Sequence, residues 1–182
     1  QRAAAVAEAS TRVRKDITQL NGTEIKTLKA AFKGLMAGDP KTADEYDPDK
    51  LCYFSLAAKH WYPIPTYCQH HIFGFLPWHR WQMIDFENAL RSVKGCEDVT
   101  LPYWNIETGE FPAIFSEEPF NGYTFPIDVY PDFVERGKDA VGRKGTKTQR
   151  NASFENKTLV NNAIDDSRTA ITFADYNGLS GY

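Results

Sequence analysis

All four histidines of this chain lie between residues 60 and 79. This stretch contains no Asp, Glu, Lys or Arg, so a cation bound there would be the largest local charge. Neutral imidazole is a good ligand for copper and zinc, and imidazoles without a nearby carboxylate favour copper. The residue types therefore indicate a candidate copper site. The competing interpretation is that these are ordinary core or surface histidines with satisfied hydrogen bonds.

Three of the histidines fall on three different predicted elements. His60 lies at the end of one helix, His70 in a loop and His79 in the first turn of the next helix. No two of them have the i, i+4 spacing that presents two ligands from one helical face. A metal bound by all three would therefore join two helices and the loop between them.

Three helices are predicted before the loop that contains His70. Residues 3–20 are rich in helix formers, and the next helix has Thr23 as its N-cap and ends before Gly38. A further helix has Asp47 as its N-cap and runs to about His60. The apolar face of the Thr23 helix consists of Ile25, Leu28, Phe32 and Leu35.

The helix that carries His79 is predicted to start at Pro77 and to close near Gly95. We expect long ordered loops over residues 101–136, an exposed loop over 137–158 and one or two short helices over 158–174. The fold class is mainly α, a bundle with long irregular loops. One helical stripe is predicted to contain His79, Met83, Phe86 and Leu90.

Composition excludes two classes of partner. The chain has 21 basic and 24 acidic residues, for a net charge of −3, which argues against a nucleic-acid surface. The longest stretch without charges contains three prolines, so it is not a membrane-spanning helix. We therefore predict no nucleic acid and no membrane as partners.

Three N-glycosylation patterns predict a secreted, extracellular glycoprotein. They begin at Asn21, Asn151 and Asn156. The chain also has three cysteines, of which two could pair in an oxidising compartment.

One segment resembles the copper-A motif of the tyrosinase, catechol oxidase and haemocyanin family of type-3 dinuclear copper proteins, which includes the polyphenol oxidases. The segment is Cys68-Gln-His70 followed by Phe75-Leu76-Pro77-Trp78-His79-Arg80. Leu101-Pro102-Tyr103-Trp104-Asn105 is similar to the segment that follows in that family. Asn105 and Ile106 depart from the family pattern, at positions that are mostly structural.

The resemblance implies that His60, His70 and His79 are the ligands of copper A. His71 is one residue out of register, and we interpret it as a residue that lines the pocket. In many relatives the cysteine two residues before the second histidine is joined to it by a thioether, which predicts a Cys68–His70 crosslink. Cys52 and Cys96 would then form a disulfide. The alternative is a Cys52–Cys68 disulfide with Cys96 free.

A complete site in this family binds two copper ions through six imidazoles, and this chain has none after His79. The resemblance therefore implies that residues 1–182 are the N-terminal part of one copper domain with the family's four-helix core, here incomplete. This chain would bind one copper ion, and a C-terminal companion fragment would supply copper B.

The implied activity is the oxidation of o-diphenols to o-quinones with dioxygen, with a small phenol as substrate. Whether monophenols also react depends on groups near copper B. One alternative is reversible oxygen binding of the haemocyanin type, and another is a mononuclear copper module without catalysis.

Overall fold

The computed structural model describes residues 12–59, 74–108, 111–129, 143–149, 161–162 and 165. Three α-helices and four short 3-10 helices lie in these ranges, and extended pairing there is limited to isolated bridges. The mainly α prediction is therefore confirmed. None of the helices in the described part of the chain is long and apolar enough to cross a bilayer.

Helix α1 spans Gly22–Met36 and begins one residue after Asn21, which is its N-cap. The Asn21 side-chain oxygen accepts hydrogen bonds from the backbone N–H groups of Thr23 and Glu24, each at 2.9 Å. Glu24 completes the capping box by accepting from the N–H of Asn21. The prediction of Thr23 as the N-cap was therefore wrong by two residues, because the amide of Asn21 already caps the helix.

Helix α2 is short and spans Tyr53–Ala58, with Cys52 as its N-cap. The predicted start at Asp47 was wrong. The Asp47 side chain instead accepts from the N–H of Asp49, and its carbonyl accepts from the hydroxyl of Ser55. These bonds close a turn before the helix, so the Asp-Pro signal indicated a turn rather than a helix start.

Helix α3 spans Phe75–Arg91, and Pro77 lies in its first turn, where a proline costs no intrahelical hydrogen bond. The predicted start at Pro77 was two residues late. The predicted stripe was correct in part: Leu90 is fully buried, whereas Met83 is 44% exposed. The structure also buries two polar side chains on this helix, Gln82 and Glu87.

The segment before α1 is not α-helical where it is described. Residues 12–15 are irregular, and Ile17–Gln19 forms a single 3-10 turn. Tyr103 donates its N–H to the carbonyl of Lys15 at 3.0 Å, and its own carbonyl accepts from Ile17 at 2.7 Å. The helix predicted over residues 3–20 was therefore wrong for residues 12–20, because this long-range pairing occupies the backbone groups.

Two apolar clusters form the described core. The first joins α1, α3, Leu56 of α2 and the segment after α3, and the second joins another face of α2 to the loop that contains Ile127 and Val129. Helix α1 contacts both α2 and α3. Fully buried members of the first cluster are Ala31, Leu56, Ala89 and Leu90.

Residues 101–108 and 111–129 are ordered loops with two 3-10 turns, as predicted. Asp39 fastens this region to the helices: it accepts from the N–H of Phe54 at 2.8 Å and from the hydroxyl of Tyr123 at 2.6 Å. Burial raises the pKa of Asp39 despite these bonds. Residues 143–149 are exposed, as expected for the polar loop, and residues 161, 162 and 165 are helical.

Candidate metal centre

His79 is the one predicted copper ligand whose position the structure describes. It lies in the second turn of α3, between the exposed and the packed sides of the helix. The other predicted ligands, His60 and His70, lie outside the described residues, as do His71 and Cys68. The mutual distances of the three ligands and the Cys68–His70 thioether therefore remain predictions.

The ring of His79 is oriented by its own helix. Its Nδ1 atom lies 2.7 Å from the carbonyl oxygen of Phe75, one turn earlier. A carbonyl oxygen can only accept, so Nδ1 carries the proton and Nε2 is the basic nitrogen of the neutral ring. A hydrogen bond of this kind is the usual way to fix the tautomer and the orientation of a metal-binding imidazole.

Aromatic rings flank the imidazole. The Phe75 ring centroid lies 4.3 Å from that of His79, and the Trp78 ring packs edge-on at 4.9 Å. These rings limit the rotation of the imidazole and give it an apolar setting. Among the described residues, no group of three His, Cys, Asp or Glu side chains converges in a way that could hold a metal ion. His79 therefore fits a copper site as a single neutral imidazole, with the remaining ligands to come from elsewhere.

The first half of α3 exposes an apolar surface, which we call the α3 apolar face. It consists of Leu76, Trp81, Met83 and Ile84, which are 39%, 50%, 44% and 45% exposed. Together with Pro77, His79 and the exposed Arg80, these residues line an open groove of about 680 Å³. Scattered exposed apolar residues are ordinary, but a contiguous group of this kind typically marks a contact surface.

Glu87 is a buried carboxylate that sequence reasoning missed. Its side chain is 2% exposed and accepts hydrogen bonds from Arg12 at 3.2 Å, from Arg14 at 3.0 Å and from the N–H of Leu101 at 2.8 Å. Burial alone would raise the pKa of Glu87, but the Leu101 N–H and the two arginines outweigh it and hold the pKa below its usual value. Glu87 thus links two segments to α3. Arg12 and Arg14 belong to the segment before α1, and Leu101 belongs to the segment after α3.

The predicted disulfide between Cys52 and Cys96 is absent from the structure. Both residues are buried free thiols and belong to different apolar clusters. The Cys52 sulfur contacts the hydroxyl of Ser55 at 3.2 Å, whereas the Cys96 sulfur faces the carbonyl of Thr27 at 3.7 Å. The alternative partner of Cys52, Cys68, lies outside the described residues. The prediction failed because pairing by elimination does not consider which cluster buries each cysteine.

These two thiols should be unreactive in the folded protein. Cys52 is fully buried and Cys96 is 2% exposed, and burial raises the pKa of the Cys96 thiol, which leaves less of the reactive thiolate. We expect a chromogenic disulfide reagent to modify neither thiol in the native protein and both after unfolding in urea without reductant.

A Cys68–His70 thioether would leave two reactive thiols in the unfolded chain and lower its intact mass by two hydrogens. Three thiols and an unchanged mass would exclude the thioether. Fewer than two thiols would contradict the free state of Cys52 and Cys96.

Of the three predicted glycosylation sites, the structure describes Asn21, which is exposed and uses its amide oxygen to cap α1. Asn151 and Asn156 lie outside the described residues.

Comparison with known proteins defines the class. Residues 50–178 match the common central domain of tyrosinase. The chain therefore belongs to the tyrosinase family of type-3 copper proteins, which confirms the resemblance drawn from the histidine motif, and family membership implies copper binding.

The relatives include both tyrosinases and haemocyanins. A tyrosinase from Aspergillus oryzae is 32% identical over 146 residues, covering 71% of this chain and 25% of the relative. A haemocyanin from Enteroctopus dofleini, described as G-type, units Oda to Odg, is 27% identical over 158 residues, covering 79% of this chain and 5% of the relative.

Among solved structures, a functional unit of octopus haemocyanin has the same fold, with a TM-score of 0.59 at 22% identity, and the match covers 90% of this chain and 38% of that one. The chain thus spans well under half of the length of these relatives.

Proposed function

We propose that this chain supplies the copper-A half of an o-diphenol oxidase, with copper B held by a C-terminal companion fragment. The observation that carries the proposal is the imidazole of His79, whose Nδ1–H bond to Phe75 orients the ring and makes Nε2 its basic nitrogen. The similarity to a tyrosinase over 146 residues supports the oxidase part of this proposal.

A pair of copper ions, when bound, would relay electrons from the catechol to dioxygen, two electrons for each catechol oxidised to an o-quinone. The residues of this chain contribute binding and orientation. His79 presents a ring of fixed tautomer, and the rings of Phe75 and Trp78 limit its rotation. We expect His60 and His70 to complete the ligand set for one copper ion.

The α3 apolar face supports the existence of a companion fragment. It lies next to His79, and its four exposed apolar residues would be covered by a second half of the domain packed against α3. The chain spans 25% of the tyrosinase that it resembles, so the relative has ample sequence for such a half. We therefore place the companion fragment on this face.

Secretion is a further part of the proposal. Exposure of Asn21 is consistent with a glycan at that position. The free thiols of Cys52 and Cys96 lend no support to an oxidising compartment, so the sequence patterns are the support for secretion.

A reversible oxygen carrier is the second candidate, because haemocyanins match this chain in sequence and in fold. A carrier would use the same ligands while denying a phenol access to the metals. A catechol would then be oxidised little, although oxygen binding would give the charge-transfer absorption typical of paired copper.

The test is copper content, a denaturing gel and catechol turnover on the same purified material. We expect one copper ion per chain, a second fragment with its own copper, and o-quinone formation when both fragments are present. Full turnover by this chain alone, as a monomer with one copper ion, would overturn the split site. Oxygen binding without turnover would favour the carrier.

A further inference from the structure

The C-terminal end of α2 is tied to α3 by an ion pair. Lys59, the C-cap residue of α2, places its Nζ atom 2.8 Å from Oδ2 of Asp85. The same ammonium lies over the ring of Trp81, 5.1 Å from the centroid. The Lys59 and Asp85 side chains are 20% and 26% exposed, so water screens this pair less than a surface ion pair.

A second contact holds the same end of the helix. Gln82 is 8% exposed, and its Nε2 atom donates to the carbonyl oxygen of Leu56 at 3.3 Å. That carbonyl belongs to the last turn of α2, where backbone acceptors have no partner within the helix. Gln82 thus supplies a hydrogen bond from α3 to an acceptor in the last turn of α2.

These contacts fix the position of α2 more narrowly than apolar packing does. Helix α2 has six residues, too few to be stable as an isolated helix, and it is held by the burial of its apolar side chains. Burial is non-directional, so it tolerates small shifts and rotations of the helix. A hydrogen bond and an ion pair join particular atoms, so they do not tolerate such shifts and rotations.

The sequence connects these contacts to the candidate metal centre. The α3 partners Trp81, Gln82 and Asp85 follow His79 within two turns of the same helix. On the other side, Lys59 is the residue immediately before His60. The two contacts therefore set where the chain leaves α2 relative to His79.

We propose that Lys59 and Gln82 are positioning residues for copper A: by fastening the end of α2 to α3, they set the spacing between two of the copper ligands. This inference rests on the proposed function, which assigns His60 and His79 to one copper ion. Neither residue is a ligand. Loss of a residue that orients ligands typically lowers metal affinity by about 10- to 100-fold.

The variants Lys59→Met and Gln82→Met test this role in the full chain together with its companion fragment. Each substitution keeps most of the side-chain volume and removes the charge or the donor. Lys59→Arg should retain copper binding, because the arginine guanidinium can pair with Asp85 and stack on Trp81. Lys26→Met is the matched control, since Lys26 is an exposed lysine of α1, far along the sequence from both contacts.

The readouts are copper(I) affinity, by competition with a chromophoric chelator, and amide hydrogen exchange of the metal-free protein. We expect both methionine variants to bind copper(I) at least tenfold more weakly and to exchange faster at residues 56–59. The arginine variant and Lys26→Met should match the unsubstituted protein. Wild-type affinity in both methionine variants would overturn the inference.

Exchange separates this inference from the proposed function. If the unsubstituted protein binds no copper, the proposed function fails. Hydrogen exchange is measured without metal, so it does not depend on copper binding. Unchanged exchange at residues 56–59 in both methionine variants would show that the two contacts do not fix the end of α2, and would overturn the inference on its own.

Discussion

Replacement of Glu87 with leucine should lower the free energy of unfolding at pH 7 by about 2 kcal/mol, because a buried carboxylate that accepts three hydrogen bonds is lost. The leucine would leave the N–H of Leu101 without its acceptor, at a cost of about 1–3 kcal/mol. It would also release Arg12 and Arg14, which hold the segment before α1 against α3. Urea unfolding followed by circular dichroism measures the change.

The same substitution should change the response to acid. Because the pKa of Glu87 in the folded protein lies below its ordinary value of 4.5, its ionised form stabilises the fold above that pH. This contribution is lost as the pH falls through the lowered pKa. We therefore expect the stability difference between the two proteins to be constant above pH 4.5 and to shrink below it.

Asp98→Leu is the control, because Asp98 is an exposed carboxylate close to the same region. A surface change of this kind should alter stability by no more than about 0.5 kcal/mol. Equal stability of the Glu87→Leu variant and the unsubstituted protein at pH 7 would mean that the buried network does not hold these segments together.

Replacement of His79 with alanine should abolish copper binding by this chain. The variant removes the one described imidazole whose tautomer and orientation suit a metal, and two remaining histidine ligands would form an incomplete site. Atomic absorption after dialysis should fall from one copper ion per chain to none. Circular dichroism and urea unfolding should show that α3 persists, since the ring of His79 is not among its fully buried side chains.

His71→Ala is the matched control for this prediction, because its neighbour His70 is the predicted ligand. The control should retain copper. Full copper content in the His79→Ala variant would refute the ligand assignment, and loss of copper in both variants would show that His71 also contributes to the site.

The sequence predicted helix α3 within two residues of its start, because a proline in the first turn and an apolar stripe are local signals. It failed for residues 12–20, whose composition favours a helix but whose backbone pairs with Tyr103. Such pairing joins positions far apart in the chain, so it cannot be predicted from local propensity.

The candidate site was predictable to a similar extent. His79 could be found from its residue type and neighbours, and the structure adds the hydrogen bond that determines its tautomer. Gln82 and Glu87 could not be found, because a polar residue in an amphipathic helix is normally expected to face water. The partner of Gln82 lies in α2, and the partners of Glu87 lie before α1 and after α3. Only the folded chain brings these residues together.

The α3 apolar face also has a consequence for handling the protein. Expressed alone, this chain would present Trp81 and its apolar neighbours to other copies of itself, with a net charge of only −3 to keep the copies apart. Co-expression with the proposed companion fragment should therefore give a preparation that stays monodisperse during concentration and storage.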